Sequence, residues 1–243
     1  MYFCIQIKNQ HVFFHLTMKI VLIGYGKMGH AIEKIALGKG HTIVCTVDNP
    51  DEMKANNDKL AKADVAIEFT TPTTAAANIE YCLRAGIPVV CGTTGWYDEY
   101  ERLSALTHEL DGALFTATNF SIGMNIMFAI NERLAKLMNG REQYSVSISE
   151  THHIHKLDAP SGTAITLRQQ IASELGTAEK DIEIQSFREG EVPGTHIVRY
   201  DSTVDTITIT HEAHSRQGLA EGALLAAEFL CGKKGVFTMK DLL

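Results

Sequence analysis

The apolar positions of this chain change period along its length. Lys19-Ile20-Val21-Leu22-Ile23 is a short continuous apolar run closed by Gly24, the pattern of a strand buried on both faces. Met28–Leu37 has helical spacing and runs out at Gly38 and Gly40, where glycine suits a helix stop. His41–Val47 is β-branched and ends at Asp48-Asn49-Pro50, a turn signal. The alternation continues with a strand at Asp64–Phe69, a helix at Thr73–Ala85 closed by Gly86, a strand at Ile87–Cys91, a helix at Tyr97–Leu110 and a strand at Ala113–Thr116. Strands alternating with helices of this length predict a doubly wound parallel α/β sheet.

Beyond residue 120 the pattern changes. Ile122–Met138 reads as a long helix, Tyr144–Ser149 as an alternating strand and Thr163–Leu175 as a helix stopped by Gly176. Three strands follow at Ile182–Phe187, Thr195–Tyr200 and Thr206–His211, and Gly218–Leu230 is a final apolar helix. Strands separated by turns predict a mostly antiparallel sheet, hence a second α+β domain. The expected division is residues 18–120 plus 216–243 as a dinucleotide-binding domain and 121–215 as the second. Residues 1–17 carry neither a basic leader nor an apolar run long enough to span a bilayer. Met18-Lys19-Ile20 reads as the natural beginning of the first strand, so 1–17 are expected to be a non-native or disordered extension.

Composition narrows the function classes. With 45% hydrophobic and 21% charged residues among 243, the chain can bury full cores. A net charge of −7 without a long basic run argues against nucleic acid or an anionic membrane as partner. Cys4, Cys45, Cys82, Cys91 and Cys231 are odd in number and scattered, which suits reduced thiols and a cytoplasmic location.

Two segments carry candidate chemistry. Gly24-Tyr25-Gly26-Lys27-Met28-Gly29 stands between a strand and a helix, with Asp48 at the end of the next strand. In a dinucleotide site the first glycine makes the tight turn, the second admits the pyrophosphate and the third lets the helix pack on the strand. Asp48 is placed to accept hydrogen bonds from ribose hydroxyls and would repel a 2′-phosphate. Asn49-Pro50-Asp51-Glu52 offers no arginine to receive one, so NADH is expected to bind at least as well as NADPH, with Lys27 a partial offset. Gly92-Thr93-Thr94-Gly95 and Ala117-Thr118-Asn119-Phe120-Ser121 follow the fourth and fifth strands. They are either plain turns or backbone contacts to the nicotinamide.

The second segment runs from Glu150 to Ala164 and holds His152, His153, His155 and Lys156 before Pro160-Ser161-Gly162-Thr163. Three readings are open. The imidazoles could bind a metal, although no carboxylate or cysteine stands at a familiar zinc spacing and His152 and His153 would diverge on a strand. The segment could be a solvated polar loop. It could be an acid–base and anion site, with a histidine giving a proton near neutral pH, Lys156 supplying fixed charge, and Ser161, Gly162 and Thr163 holding a carboxylate at a helix start.

His-His-Ile-His-Lys-Leu-Asp-Ala-Pro-Ser-Gly-Thr-Ala resembles the signature of the 4-hydroxy-tetrahydrodipicolinate (dihydrodipicolinate) reductase family. The resemblance runs from Met18 to the C-terminus. It includes the glycine fingerprint, Phe69-Thr70, Gly92-Thr93-Thr94-Gly95, Asn119-Phe120-Ser121-Ile122-Gly123, Pro193-Gly194-Thr195-His196 and Ser215-Arg216. It implies an NAD(P)H-dependent reduction of a small dicarboxylate imine in lysine and diaminopimelate biosynthesis, a Rossmann-type fold, no metal and a homotetramer. It further implies His152 as proton donor and Lys156 as second catalytic residue. Substrate contacts are implied at His153, Gly162 and Thr163 with Ser161 beside them, and at Arg216 for a substrate carboxylate. Nucleotide contacts are implied at Gly24, Tyr25, Gly26, Lys27, Met28, Gly29, Asp48, Gly92, Thr93, Thr94, Ala117, Thr118, Asn119 and Phe120. The rivals are another Rossmann amino-acid dehydrogenase, which needs a different proton-transfer set, and a non-catalytic NADH sensor, which needs none.

Overall fold

The computed structural model describes residues 2–7, 10–15 and 17–243, the first two stretches by backbone alone. Tyr2–Ile7 (β1) and Gln10–His15 (β2) pair antiparallel. Residues 1, 8, 9 and 16, and with them the reading of 1–17 as one extension, lie outside the described residues. The chain divides into two compact units, one holding the described residues up to Phe120 together with Leu219–Leu243, the other Ser121–Gly218.

The first unit is built on a six-stranded parallel sheet. Its strands are Lys19–Ile23 (β3), Thr42–Val47 (β4), Val65–Glu68 (β5), Val89–Cys91 (β6), Ala113–Thr116 (β7) and Gly235–Phe237 (β12). The spatial order is β12-β7-β6-β5-β3-β4. The chain therefore starts in the middle, adds β4 on one side and returns to add β5 on the other. That reversal is the switch point at which such sheets bind ligands, making this a Rossmann-type unit. Lys27–Gly38 (α1), Pro72–Arg84 (α4) and Tyr100–Glu109 (α5) make the crossovers. Between β4 and β5 the chain makes two short helices, Pro50–Ala55 (α2) and Asn57–Leu60 (α3), that the periodicity does not announce. Asn49 starts α2 by accepting a hydrogen bond from the Glu52 N–H at 2.9 Å, with Pro50 behind it. Val21, Ile23, Ala66, Val89 and Leu114, none more than 1% exposed, pack with Ile79 of α4 and Leu103 of α5. The expected helix at Tyr97–Leu110 begins instead as a 3-10 turn, Tyr97–Glu99, before α5.

The second unit contains Ile122–Met138 (α6), Gly162–Leu175 (α7) and a four-stranded sheet of order β11-β10-β8-β9. Its strands are Ser145–His152 (β8), Glu183–Arg188 (β9), Thr195–Asp201 (β10) and Thr206–Glu212 (β11). The sheet is mixed: β10 pairs antiparallel with β8 and β11, but β9 pairs parallel with β8. The sheet is thus mostly antiparallel, as expected, and the exception at β9 arises because α7 intervenes between β8 and β9 as a crossover, which delivers the next strand in the same direction. One sheet face carries Ile148, Glu150 and His152 of β8 opposite Val198 and His196 of β10, all buried. Met124, Leu167, Ile171 and Tyr200 complete that core. Gln217–Leu230 (α8) carries the chain from the second unit to the first, and Met239–Leu242 (α9) closes it.

Candidate active site

In the first unit the nucleotide candidates gather at one edge, because all are C-terminal ends of parallel strands. Gly24 follows β3 at φ +91°, and a Cβ there would lie 2.0 Å from the Phe69 carbonyl oxygen at the end of β5. A Cβ on Gly29 would lie 2.4 Å from the Gly24 carbonyl oxygen. These two glycines are therefore fixed by the protein's own packing. Gly26 is different: it is exposed and a Cβ there meets nothing within 4 Å. It is also the N-cap of α1 and offers no side-chain cap, so the first-turn N–H groups at Lys27, Met28 and Gly29 have no intrahelical acceptor. Open space before uncapped amides is what a pyrophosphate requires. The residues present thus fit a dinucleotide.

Asp48 lies at the end of β4, exposed, with Oδ1 accepting the Tyr25 N–H at 2.5 Å. That bond ties the acidic residue to the glycine loop. The ends of β5 and β6 are joined by the Thr70 N–H donating to Thr93 Oγ1 at 2.7 Å. Beneath them Glu68 is fully buried and accepts from the Thr70 hydroxyl, from Asn78 and from the Cys91 thiol at 3.0 Å. Burial, with Glu68 beside it, pushes the Cys91 thiol up, so it remains a thiol and a donor. Trp96 is core, 3% exposed, with its indole N–H given to the Thr93 carbonyl at 2.8 Å. Phe120 is also buried, packed on Phe69 with ring centroids 5.8 Å apart, which leaves backbone as its means of touching a ligand. Thr94 and Thr118 are exposed, and Gly92 and Ala117 are half-buried.

In the second unit β8 runs three residues beyond its expected end and finishes at His152. Alternation then puts Glu150 and His152 on the buried face together. Glu150 is 1% exposed. Its Oε1 accepts from the Ser161 N–H at 2.9 Å and the Ser186 hydroxyl at 2.8 Å, and Nη2 of Arg188 lies 3.4 Å away. Its Oε2 lies 3.2 Å from His152 Nδ1 and 3.8 Å from His196 Nε2. The His152 contact falls short of a straight hydrogen bond, and neither atom has another hydrogen-bond partner. Burial alone would push the Glu150 carboxyl up; donors from His152, Ser161 and Ser186 outweigh it and hold the group well below the usual carboxylate range. His196 stands edge-on to His152, ring centroids 5.0 Å apart. Burial, then the neighbouring His152, push His196 down to about 4, so it is neutral at pH 7.

Past β8 the chain turns through a loop held from β9. Arg188 donates to the carbonyls of Lys156 at 3.2 Å and Asp158 at 2.5 Å. Lys156 Nζ is bracketed by both oxygens of Asp158 at 2.8 and 2.9 Å, and that ammonium lowers the Asp158 carboxyl below its ordinary value. His153 Nε2 lies 2.8 Å from Nη2 of Arg216; since guanidinium only donates, His153 accepts there as a neutral ring. Desolvation and that guanidinium both lower His153. The loop re-enters the fold at Ser161, the N-cap of α7, whose hydroxyl accepts the Ala164 N–H at 3.2 Å. Gly162 and Thr163 follow with N–H groups that have no intrahelical acceptor. Ser161 itself is 2% exposed, its N–H given to Glu150 and its hydroxyl 3.3 Å from His196 Nε2. The sequence reading set Ser161 beside the substrate contacts; in the structure its polar atoms face inward. His155 is exposed and pairs with Glu191 at 3.1 Å, its ring centroid 6.0 Å from that of His153.

Among the described residues, the side chains close enough to share a metal ion are Glu150, His152 and His196, with ligand atoms within 4.8 Å of one another. This is not the set His152, His153 and His155 that the sequence raised. Four residues that sequence reasoning gave no role thus organise the site: Glu150, Asp158, Arg188 and His196. The two-residue alternation of Ile148, Glu150 and His152 was the available signal for the first.

Two family models cover nearly all of the chain. One described as dihydrodipicolinate reductase, N-terminus, matches residues 18–120, and one described as dihydrodipicolinate reductase, C-terminus, matches residues 123–243. The chain is 49% identical over 235 residues to the 4-hydroxy-tetrahydrodipicolinate reductase of Christiangramia forsetii, covering 93% of this chain and 98% of that one. It is 37% identical over 224 residues to the enzyme of the same name from Ralstonia nicotianae, covering 85% and 81%. Among solved structures, dipicolinate-bound dihydrodipicolinate reductase from Paenisporosarcina sp. TG-14 superposes with a TM-score of 0.76 at 21% identity, over 94% of this chain and 100% of that one. At that identity the likeness bears on the fold.

Proposed function

The chain belongs to the dihydrodipicolinate reductase family, and from that premise we propose that it reduces 4-hydroxy-tetrahydrodipicolinate to tetrahydrodipicolinate for lysine and diaminopimelate synthesis. It is a pyridine-nucleotide-dependent oxidoreductase. The observation that carries the reading is the grouping in one unit of His152 at the end of β8, Lys156 on the loop that follows, and the free amides of Gly162 and Thr163 at the start of α7.

We assign the nucleotide to the first unit and the substrate to the second. A dihydronicotinamide nucleotide held at the glycine loop would supply a hydride for ring C4 once the substrate's 4-hydroxyl has left as water. Negative charge then moves through the conjugated system to the ring nitrogen, and C3 takes a proton from His152. Lys156 stabilises the developing charge, for which its ammonium exchanges Asp158 for substrate. The α7 amides, Thr163, His153 and Arg216 receive the two carboxylates, and the guanidinium suits a bidentate grip. Ring and donor are thereby held in register, which is the positioning share of catalysis.

Asp48 supports NADH binding at least as well as NADPH, since its carboxylate is exposed beside the glycine loop and the adjoining α2 begins with Asp51 and Glu52 in its first turn. A homotetramer formed through the second unit's sheet is the proposed assembly. Its support is the sheet face opposite the core, where Ser147, Ser149 and Thr151 of β8 pair with Arg199, Ile197 and Thr195 of β10. These mostly short side chains would let the same face of another copy approach closely. A cytoplasmic location goes with a biosynthetic reductase; no helix among the described residues is long and apolar enough to cross a membrane.

The test is NADH and NADPH oxidation with the imine formed in situ from pyruvate and aspartate semialdehyde by the preceding enzyme. Turnover that requires that coupling is expected, and His152→Ala should reduce it by about a hundredfold or more, the usual share of a general acid. Tight NADH binding without turnover would move the protein to the sensor reading.

A further inference from the structure

We propose that Glu150 is the positioning residue of the proton donor: its buried carboxylate accepts from the Nδ1–H of His152, holds the proton on that nitrogen, and so commits Nε2 to the substrate. The inference rests on His152 being the donor.

The geometry makes Glu150 a one-sided acceptor. Ser161, Ser186 and Arg188 converge on Oε1 from the start of α7 and from β9, which leaves Oε2 for the rings of His152 and His196. An ionised carboxylate has no proton of its own to give, so a ring nitrogen facing Oε2 must carry the hydrogen. Nδ1 of His152 is buried without another partner and has nowhere else to send one. The opposite ring atom, Nε2, lies over the backbone of Gly194, where a Cβ would come within 3.1 Å. That residue stands at φ +153°, so glycine both permits the backbone and leaves the donor atom uncovered. About a tenth of the His152 side chain remains exposed, enough for one atom to reach a ligand.

His196 completes the enclosure without competing for the carboxylate. Its Nε2 is 3.3 Å from the Ser161 hydroxyl and 3.8 Å from Oε2, so Glu150 lies nearer to His152. The groups that face the His152–Glu150 contact are therefore His196 on β10, Arg188 on β9, and Ser161 at the start of α7. Arg188 is the fixed positive charge among them, and it sits on the far oxygen.

The arrangement predicts an inverted outcome for one conservative change. In Glu150→Gln the three donors at Oε1 still need an acceptor, so the amide oxygen stays there and the amide NH2 turns toward His152. Nδ1 must then accept, and the neutral ring becomes the Nε2–H tautomer. Such a ring cannot give up its Nε2 proton without becoming an imidazolate. Taking a second proton would point Nδ1–H at another donor. Proton donation fails although charge, not volume, is what changed.

The experiment pairs steady-state kinetics with nitrogen-15 NMR of the histidine rings. In the wild-type protein the neutral His152 ring is expected as the Nδ1–H tautomer. Glu150→Gln should show Nε2–H, with kcat down by about a hundredfold or more and KM within a few fold. Glu150→Asp, which restores the charge on a shorter arm, should recover part of kcat and the Nδ1–H signal. A purely structural role would lower the folded fraction and leave the tautomer of the folded molecules alone. A wild-type ring in the Nε2–H form would overturn the proposal without any variant, as would full kcat in Glu150→Gln. Should His152→Ala turn over normally while Glu150→Gln still inverts the tautomer, the donor assignment falls and the carboxylate's hold on the ring stands.

Discussion

Lowering the pH from 7.5 to 5.0 tests the electrostatics of the buried cluster, and His196 is the group on which the magnitude can be worked. In the folded chain it stays neutral down to about 4, against an ordinary value of 6.5, because it is buried with His152 beside it. The unfolded chain takes that proton near 6.5, so across the window it binds more protons than the folded one and stability falls as pH falls. The two values give a loss of about 2 kcal/mol by pH 5 and about 3 kcal/mol by pH 4, with almost none above pH 7.5. For a chain of this size 2 kcal/mol corresponds to a drop of roughly 4–8 °C in melting temperature. Glu150 acts below this range: its carboxyl is held low in the fold, so its contribution is present above the ordinary carboxylate value and lost only in stronger acid.

Other histidines share the window, and a variant separates them. His153 and His211 are also lowered, yet both remain in His196→Gln and cancel when that variant is compared with the wild type. The glutamine keeps a polar group near the Ser161 hydroxyl but cannot titrate. Urea unfolding at pH 7.5 and 5.0 should find the variant less stable than wild type at the higher pH, from lost packing. Its decline between the two should be smaller by about 2 kcal/mol. Equal declines in both proteins would mean that His196 is protonated in the folded chain, and the account of a neutral ring against His152 would be wrong.

Further outcomes follow from single contacts. Gly24→Ala, with its Cβ 2.0 Å from a carbonyl oxygen at φ +91°, should destabilise the fold by more than about 3 kcal/mol, read by thermal melting. Gly26→Ala should melt within about 1 kcal/mol of wild type yet weaken NADH binding at least about tenfold in a fluorescence titration, since it fills open space that the proposed function assigns to the nucleotide. If Gly26→Ala binds NADH normally, the pyrophosphate does not sit there. Asp48→Ser should lower the NADH-to-NADPH ratio of kcat/KM by about tenfold, the worth of one ribose contact and one relieved repulsion. An unchanged ratio would remove Asp48 from the cofactor's recognition. Dialysis against EDTA should leave turnover unaltered; activity lost and restored by zinc would recast Glu150, His152 and His196 as ligands.

The parallel sheet was legible because its strands are short, largely apolar or β-branched runs that alternate with helical spacing, from Lys19–Ile23 to Ala113–Thr116. What escaped were elements whose stability comes from elsewhere. The helices α2 and α3 have too few residues to show a period, and Asn49 with Pro50 starts the first of them by capping rather than by amphipathicity. The strand β12 is three residues long and exists because β7 offers it an edge, at Gly235 to Phe237 against Ala113 to Phe115. The parallel pairing of β9 with β8 was implicit in the order strand, helix, strand, but three successive short strands outweighed it.

The candidate site divides along the same line. Residues that must meet a ligand are constrained in type and spacing, so His152, Lys156 and the Ser161-Gly162-Thr163 start could be read as chemistry. Residues that hold those side chains need only be near them in space. Arg188 reaches the Lys156 and Asp158 carbonyls from some thirty positions away, and His196 meets Glu150 across a strand pair. Glu150 was the exception that could have been found. It stands two residues from Ile148 and two from His152, so any strand that buries Ile148 buries all three. A carboxylate forced inside must be given donors, and in this fold they come from the Ser161 amide that opens α7 and from Ser186 and Arg188 on β9. The helix start assigned to a substrate carboxylate is thus tied, through Ser161 and Glu150, to the ring proposed as the proton donor.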